Sequence, residues 1–76
     1  MENSTRLYSV YDKGAELFGP LFDANNDATA SRAFILMMKK VQEEFRVDYL
    51  LFFMGTYNIK TGEIIPETPF QINIRS

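Results

Sequence analysis

The side chains that most often do chemistry are missing from this sequence. The 76 residues include no histidine and no cysteine, so the usual general base, the thiolate nucleophile and the soft metal ligands are absent. There is no Gly-rich phosphate loop, because the four glycines are scattered. The serines stand near the termini, in the first predicted strand and at Ser31, with no activating partner in the pattern. Carboxylates remain. Asp23 and Asp27 flank Asn25-Asn26, and such an acidic loop can hold calcium or magnesium weakly. The ordinary reading is a capped helix start. Glu43 and Glu44 follow Lys39 and Lys40 at i, i+4, a solvated-face pattern. The expectation is a protein with no catalytic residue, no metal and no cofactor, one that acts by binding.

Two patterns indicate what it binds with. Arg32, Lys39 and Arg46 recur every seven residues, close to one line on an α-helix, with Ile35 and Gln42 near that line. The ordinary reading is an exposed face with a stray isoleucine. The sharper one is a contact surface for phosphates or for a partner subunit. The second pattern is aromatic. Seven Phe and four Tyr are many for so short a chain, and Tyr8, Tyr11, Tyr49, Phe52, Phe53 and Tyr57 fall on predicted strands. A sheet covered by one helix has a second face, and aromatics there either stack on unpaired bases or close a dimer. Tyr8, Tyr11 and Tyr57 suit stacking, since each carries a polar tip. Ile35, Phe52 and Met54 are the candidate interface residues.

These residues need elements to position them. Leu7 to Tyr11 is rich in β-branched and aromatic residues and predicts a strand, broken by Asp12-Lys13-Gly14. Ala15 to Asn26 predicts an ordered connection with one short turn of helix or strand, its apolar residues plugging the edge of the core. Asn25-Asn26-Asp27 signals a helix start. From Asp27 to about Arg46 there is no Gly or Pro, and Ala30, Ala33, Phe34, Met37, Val41 and Phe45 recur at helical spacing. Tyr49 to Tyr57 is apolar on both alternating faces, which predicts a central strand buried on both sides. Asn58 to Gly62 supplies a turn, Glu63 to Ile65 a hairpin partner, Pro66 and Pro69 a bend, and Phe70 to Arg75 a last strand with one wet face. The expected architecture is α+β, in the order β-α-β-β-β: a small antiparallel sheet of three to four strands with one amphipathic helix packed on one face. A single domain over residues 1–76 is expected, with residues 1–5 flexible.

A domain of this size is marginal alone, and without disulfides or a zinc site oligomerisation is the common remedy, so a homodimer or larger is expected. The net charge is −2 and the pI about 4.9, which argues against a protein held on nucleic acid mainly by phosphates. A local basic face remains compatible with that balance. The chain opens without a basic-then-apolar leader, and its longest apolar run, Tyr49 to Met54, is far too short to span a bilayer. A cytoplasmic protein with no membrane partner is the expectation.

One set of residues, in order, carries a resemblance: Tyr8-Ser9-Val10-Tyr11-Asp12-Lys13, Gly19-Pro20-Leu21-Phe22, Asn26-Asp27-Ala28 with Arg32-Ala33-Phe34, Asp48-Tyr49-Leu50-Leu51 with Gly55-Thr56-Tyr57, and Thr61-Gly62-Glu63-Ile64. From about Leu7 to Ile65 the chain resembles the small non-structural protein of gokushovirus-type microviruses, which are circular single-stranded DNA phages. That family is likened to the microvirus C protein. The resemblance implies a role in genome replication in the host bacterial cytoplasm, at the switch from duplex replication to single-stranded genome synthesis. On that reading Arg6, Arg32, Lys39, Lys40 and Arg46 contact phosphates and Tyr8, Tyr11 and Tyr57 stack on bases of single-stranded DNA. The rival reading is an adaptor that touches the replication initiator, the host replication machinery or the procapsid without binding DNA.

Overall fold

The computed structural model describes residues 3–74. The chain runs through β1 (Ser4–Asp12), β2 (Leu17–Phe18), β3 (Phe22–Ala24), α1 (Asp27–Met38), a 3-10 turn (Glu43–Asp48), β4 (Tyr49–Asn58) and β5 (Ile64–Ile72). All strand pairs are antiparallel. β2 and β3 share one edge of β1, β4 lies along the other edge, and β5 flanks β4. The expected α+β class is the one that forms, a curled antiparallel sheet with one helix packed on it.

β1 begins earlier than its apolar run suggests. Thr5 is buried, and its hydroxyl donates to the Ala24 carbonyl at 3.0 Å. Ser4 and Thr5 are therefore strand residues, not the flexible segment expected of residues 1–5; residues 1 and 2 lie outside the described residues. The connection after β1 folds back on it. Gly19 N–H donates to the Val10 carbonyl at 2.8 Å, and Ser9 Oγ–H donates to the Gly19 carbonyl at 2.8 Å. Phe22 packs at the margin of the core, while Leu21 stays exposed instead of plugging it.

α1 starts where the Asx run predicts. Asn26 Oδ1 accepts the Thr29 N–H at 2.8 Å, a side-chain cap on an otherwise free donor. Ala30 and Phe34 are buried and Met38 packs behind them. The helix then ends at Met38, not near Arg46 as its composition allows. Tertiary geometry explains the early stop. β4 must begin beside Asp12, where Lys13 N–H donates to the Asp48 carbonyl at 2.8 Å. Eight more helical residues would carry the chain ~12 Å onward, leaving two residues to return. The apolar residues of that stretch consequently miss the core: Phe45 is 51% and Val47 73% exposed.

The second half also departs from the pattern in one respect. β5 is a single strand through Pro66 and Pro69, where a bend was expected. Its last expected residue, Arg75, lies outside the described residues. The ladder shows why proline is tolerated. Asn58 N–H donates to the Glu63 carbonyl at 2.8 Å. Counting onward through Thr56↔Ile65, alternation turns the Pro66 nitrogen away from β4, toward the open edge. Opposite it, Gly55 sits at φ 144°, and a Cβ there would collide with the Ile65 carbonyl. Met54 is the extra residue of the bulge beside it, between the pairs Tyr8↔Phe53 and Leu7↔Gly55.

The core lies between α1 and one face of the sheet. It contains Tyr8, Ala24, Ala30, Phe34, Leu51 and Ile72, with Val10, Tyr49 and Phe53 at its margin. β4 is central, between β1 and β5, but only one of its faces is covered by the helix.

Candidate functional site

Strand alternation sends Arg6, Tyr8 and Val10 to the helix side of β1 and Leu7, Ser9 and Tyr11 to the other. This separation divides the tyrosines expected to act together. Tyr8 is fully buried, its ring between Phe22 and Phe53 at 5.9 Å from each. It is not a stacking platform for bases. Its hydroxyl donates to Asp27 Oδ1 at 2.6 Å and accepts from Arg6 Nε–H at 2.8 Å, while Arg6 Nη2 lies 3.1 Å from the same carboxylate oxygen. The Arg6 guanidinium also rests over the Phe53 ring, 4.0 Å from its centroid. Burial and the bond to Asp27 push the Tyr8 hydroxyl up to about 12. Partial desolvation works against the Arg6 charge, but the contacts with Tyr8 and Asp27 outweigh it and raise its pKa. Arg6 is thus paired with groups of its own fold, its side chain 37% exposed, where a phosphate contact was expected. Asp27, the first residue of α1, is joined to β1 by this latch. Asp23 meets Thr5 Oγ1 at 3.4 Å, away from the latch pair. Among the described residues no three carboxylates gather as a metal site.

The sheet face away from α1 carries a second aromatic group. Tyr11, Phe18 and Phe52 pack on one another, with centroids 4.7 Å (Tyr11–Phe18), 5.4 Å (Phe18–Phe52) and 6.1 Å (Tyr11–Phe52) apart. The β2 register places Phe18 opposite Tyr11. Phe18 is 43% exposed, and Tyr11 and Phe52 are half-buried. Tyr57 pairs with Thr5 on the same side, ~16 Å along the strand from Phe52 by strand rise. The structure therefore brings Tyr11 and Phe52 together and leaves Tyr57 apart. Phe18 was missed in the sequence, since a two-residue strand in a loop-like stretch gives no periodicity.

A groove of about 550 Å³ opens between α1 and the end of β5, lined by Arg32, Ser31, Ile35, Phe70, Gln71 and Asn73 among others. Phe70 is 67% exposed. Lys39, the C-cap, keeps helical geometry and falls on the Arg32–Ile35 line. Arg46 does not, because it sits on the 3-10 turn and donates Nε–H to the Val41 carbonyl at 2.9 Å. Lys40 stands exposed in the turn after the helix. Of the expected basic line, Arg32 lines the groove and Lys39 follows it along α1. The edge of β5 is open there. From the Lys13–Asp48 pair, alternation makes Leu51 and Phe53 the residues that bond β5, so the Gln71 backbone faces outward.

Among the described residues no helix is long and apolar enough to cross a membrane. No curated protein and no solved structure matches the chain. A family model described as Phage ORF5 protein matches residues 5–75, which takes in the latch, the aromatic face and the groove. The chain belongs to the Phage ORF5 protein family.

Proposed function

We propose that this phage protein is an accessory factor of genome replication that binds single-stranded DNA in the groove between α1 and β5, in the host cytoplasm, and helps the switch to single-stranded genome synthesis. The observation that carries the reading is the meeting, in one open groove, of a cation and an exposed ring, Arg32 and Phe70, beside the polar end of β5. Single-strand binders combine these parts, with cations for phosphates and aromatic faces for bases. Lys39 extends the cationic flank, and Asp27 at the groove's end is already paired with Arg6. The gokushovirus-like order of residues supports the replication context. Binding with so few cations is weak and salt-sensitive. With two phosphates engaged, log K should fall against log salt with a slope of about −1.4. Fluorescence anisotropy of a labelled oligonucleotide at low and moderate salt, with duplex as control, checks this. Arg32→Gln should flatten the slope by about 0.7, and Phe70→Ala should weaken binding at every salt. Flat anisotropy at the lowest salt would overturn the reading.

A second reading is favoured by the outward backbone at Gln71. An open strand edge beside Ile35 suits strand addition by a partner protein, as an adaptor for the replication initiator, the host machinery or the procapsid would use. In that case oligonucleotide binding is absent throughout. Ile35→Lys would then break association with the co-expressed partner and leave the melting temperature in place.

A further inference from the structure

The sheet face opposite α1 has no role in that groove, and we infer that it is the contact face of a homodimer, with Tyr11, Phe18 and Phe52 of one protomer packed against the same residues of a second copy. The first argument is area. A folded monomer of 8.8 kDa exposes roughly 4,800 Å², whereas this chain exposes 5690 Å². The difference, taken over the whole chain, is on the order of 900 Å², close to the ~800 Å² that each partner buries in a standard interface, so it argues for a second copy and leaves the chemistry to locate the contact. The second argument is chemistry. The strand positions around this patch are Tyr11 of β1, Phe18 of β2, Leu50 and Phe52 of β4 and Gln71 of β5, with Ser9 buried among them. None is charged; the acid on this face, Asp23 of β3, lies opposite Leu7, ~13 Å along β1 from Tyr11. A phosphate would find no cation there, and two copies meeting about a two-fold axis would bring no like charges together. Depletion of charge with enrichment of aromatics marks interface centres, and an isologous contact needs only a self-complementary patch. The groove between α1 and β5 opens on the helix side of the sheet, so a dimer closed through the opposite face leaves both grooves free.

Sedimentation equilibrium of the full chain, over a range of concentrations, reads the mass directly. The expected mass is twice 8.8 kDa. Phe18→Lys, at an exposed position, should raise the dimer dissociation constant at least about tenfold, as loss of a central aromatic anchor does. Phe52→Lys should do the same, and far-UV circular dichroism reports whether each variant is folded. A monomer at every concentration would overturn the inference. So would a dimer that a folded Phe18→Lys leaves unchanged, since the contact would then lie elsewhere. A monomeric chain whose aromatic face instead retains oligonucleotide or neutral phosphatidylcholine vesicles, in a Phe18-dependent way, would overturn it too. The oligonucleotide slope with Arg32→Gln is a separate readout, so failure of the dimer and failure of the groove are distinguishable.

Discussion

At the residue scale the latch of Arg6, Tyr8 and Asp27 is the feature that most changes the meaning of the sequence. A tyrosine's polar tip suits open water and a carboxylate on a neighbouring element equally, and nothing along the chain says which it meets. The register of β1 against α1 decides it, by putting the Tyr8 hydroxyl 2.6 Å from the first carboxylate of the helix. Two predictions belong here. Tyr8→Phe keeps the ring packing but removes the hydroxyl from Asp27 and Arg6, which keep each other and water, so urea denaturation should show a loss of about 0.5–1.5 kcal/mol. The second concerns pH. The Tyr8 hydroxyl is raised to about 12, above its ordinary value of ~10. The folded state therefore holds this proton where the unfolded chain releases it. Its contribution is complete below pH ~10 and declines as pH rises toward 12. The wild type should lose stability more steeply than Tyr8→Phe across that window. Parallel curves would show that the hydroxyl is not held as described.

At the element scale the start signals were legible and the stop signals were not. Asn26 caps α1 because its side chain meets the Thr29 N–H locally, and local chemistry is written in local sequence. The end at Met38 is set by where β4 must begin, a long-range demand that no residue between 39 and 46 announces. Val41 and Phe45 continue the helical spacing past the point where there is a core to face. The single β5 strand is the mirror case. Two prolines forecast a bend, and the ladder absorbs them because β5 is an edge. Gln42→Pro tests the helix boundary. Gln42 has φ −57°, a value proline already holds. The substitution should change stability by no more than about 1 kcal/mol, whereas a helix continuing to Arg46 would lose about 3 kcal/mol. Gly55→Ala tests the bulge. With φ 144° and the Ile65 carbonyl in the way, a loss of roughly 2–3 kcal/mol is expected, measured by thermal denaturation, with the expected fold retained at low temperature.

At the scale of the whole molecule the sequence announced the aromatic load but could not distribute it. Tyr8 and Phe53 went to the helix side, Tyr11, Phe18 and Phe52 to the other, and one helix of twelve residues covers only the first group. Phe70 near the end of β5 faces the first turns of α1 across the groove and stays 67% exposed. A chain this small with this much apolar surface in water is marginal as a monomer, which makes its stability a property of concentration if the far face pairs. Dimerisation coupled to folding adds RT ln 10 per dimer for each tenfold rise in protein, about 0.7 kcal/mol per chain. For a domain of this size that corresponds to a rise in melting temperature of about 3–6 °C per decade of concentration. The wild type should show this slope in a scanning calorimetry series. Phe18→Lys should melt at one temperature across the same series, near that of the dilute wild type, because its face no longer pairs. A wild-type melting temperature independent of concentration would mean that the monomer is stable with its aromatic face in water.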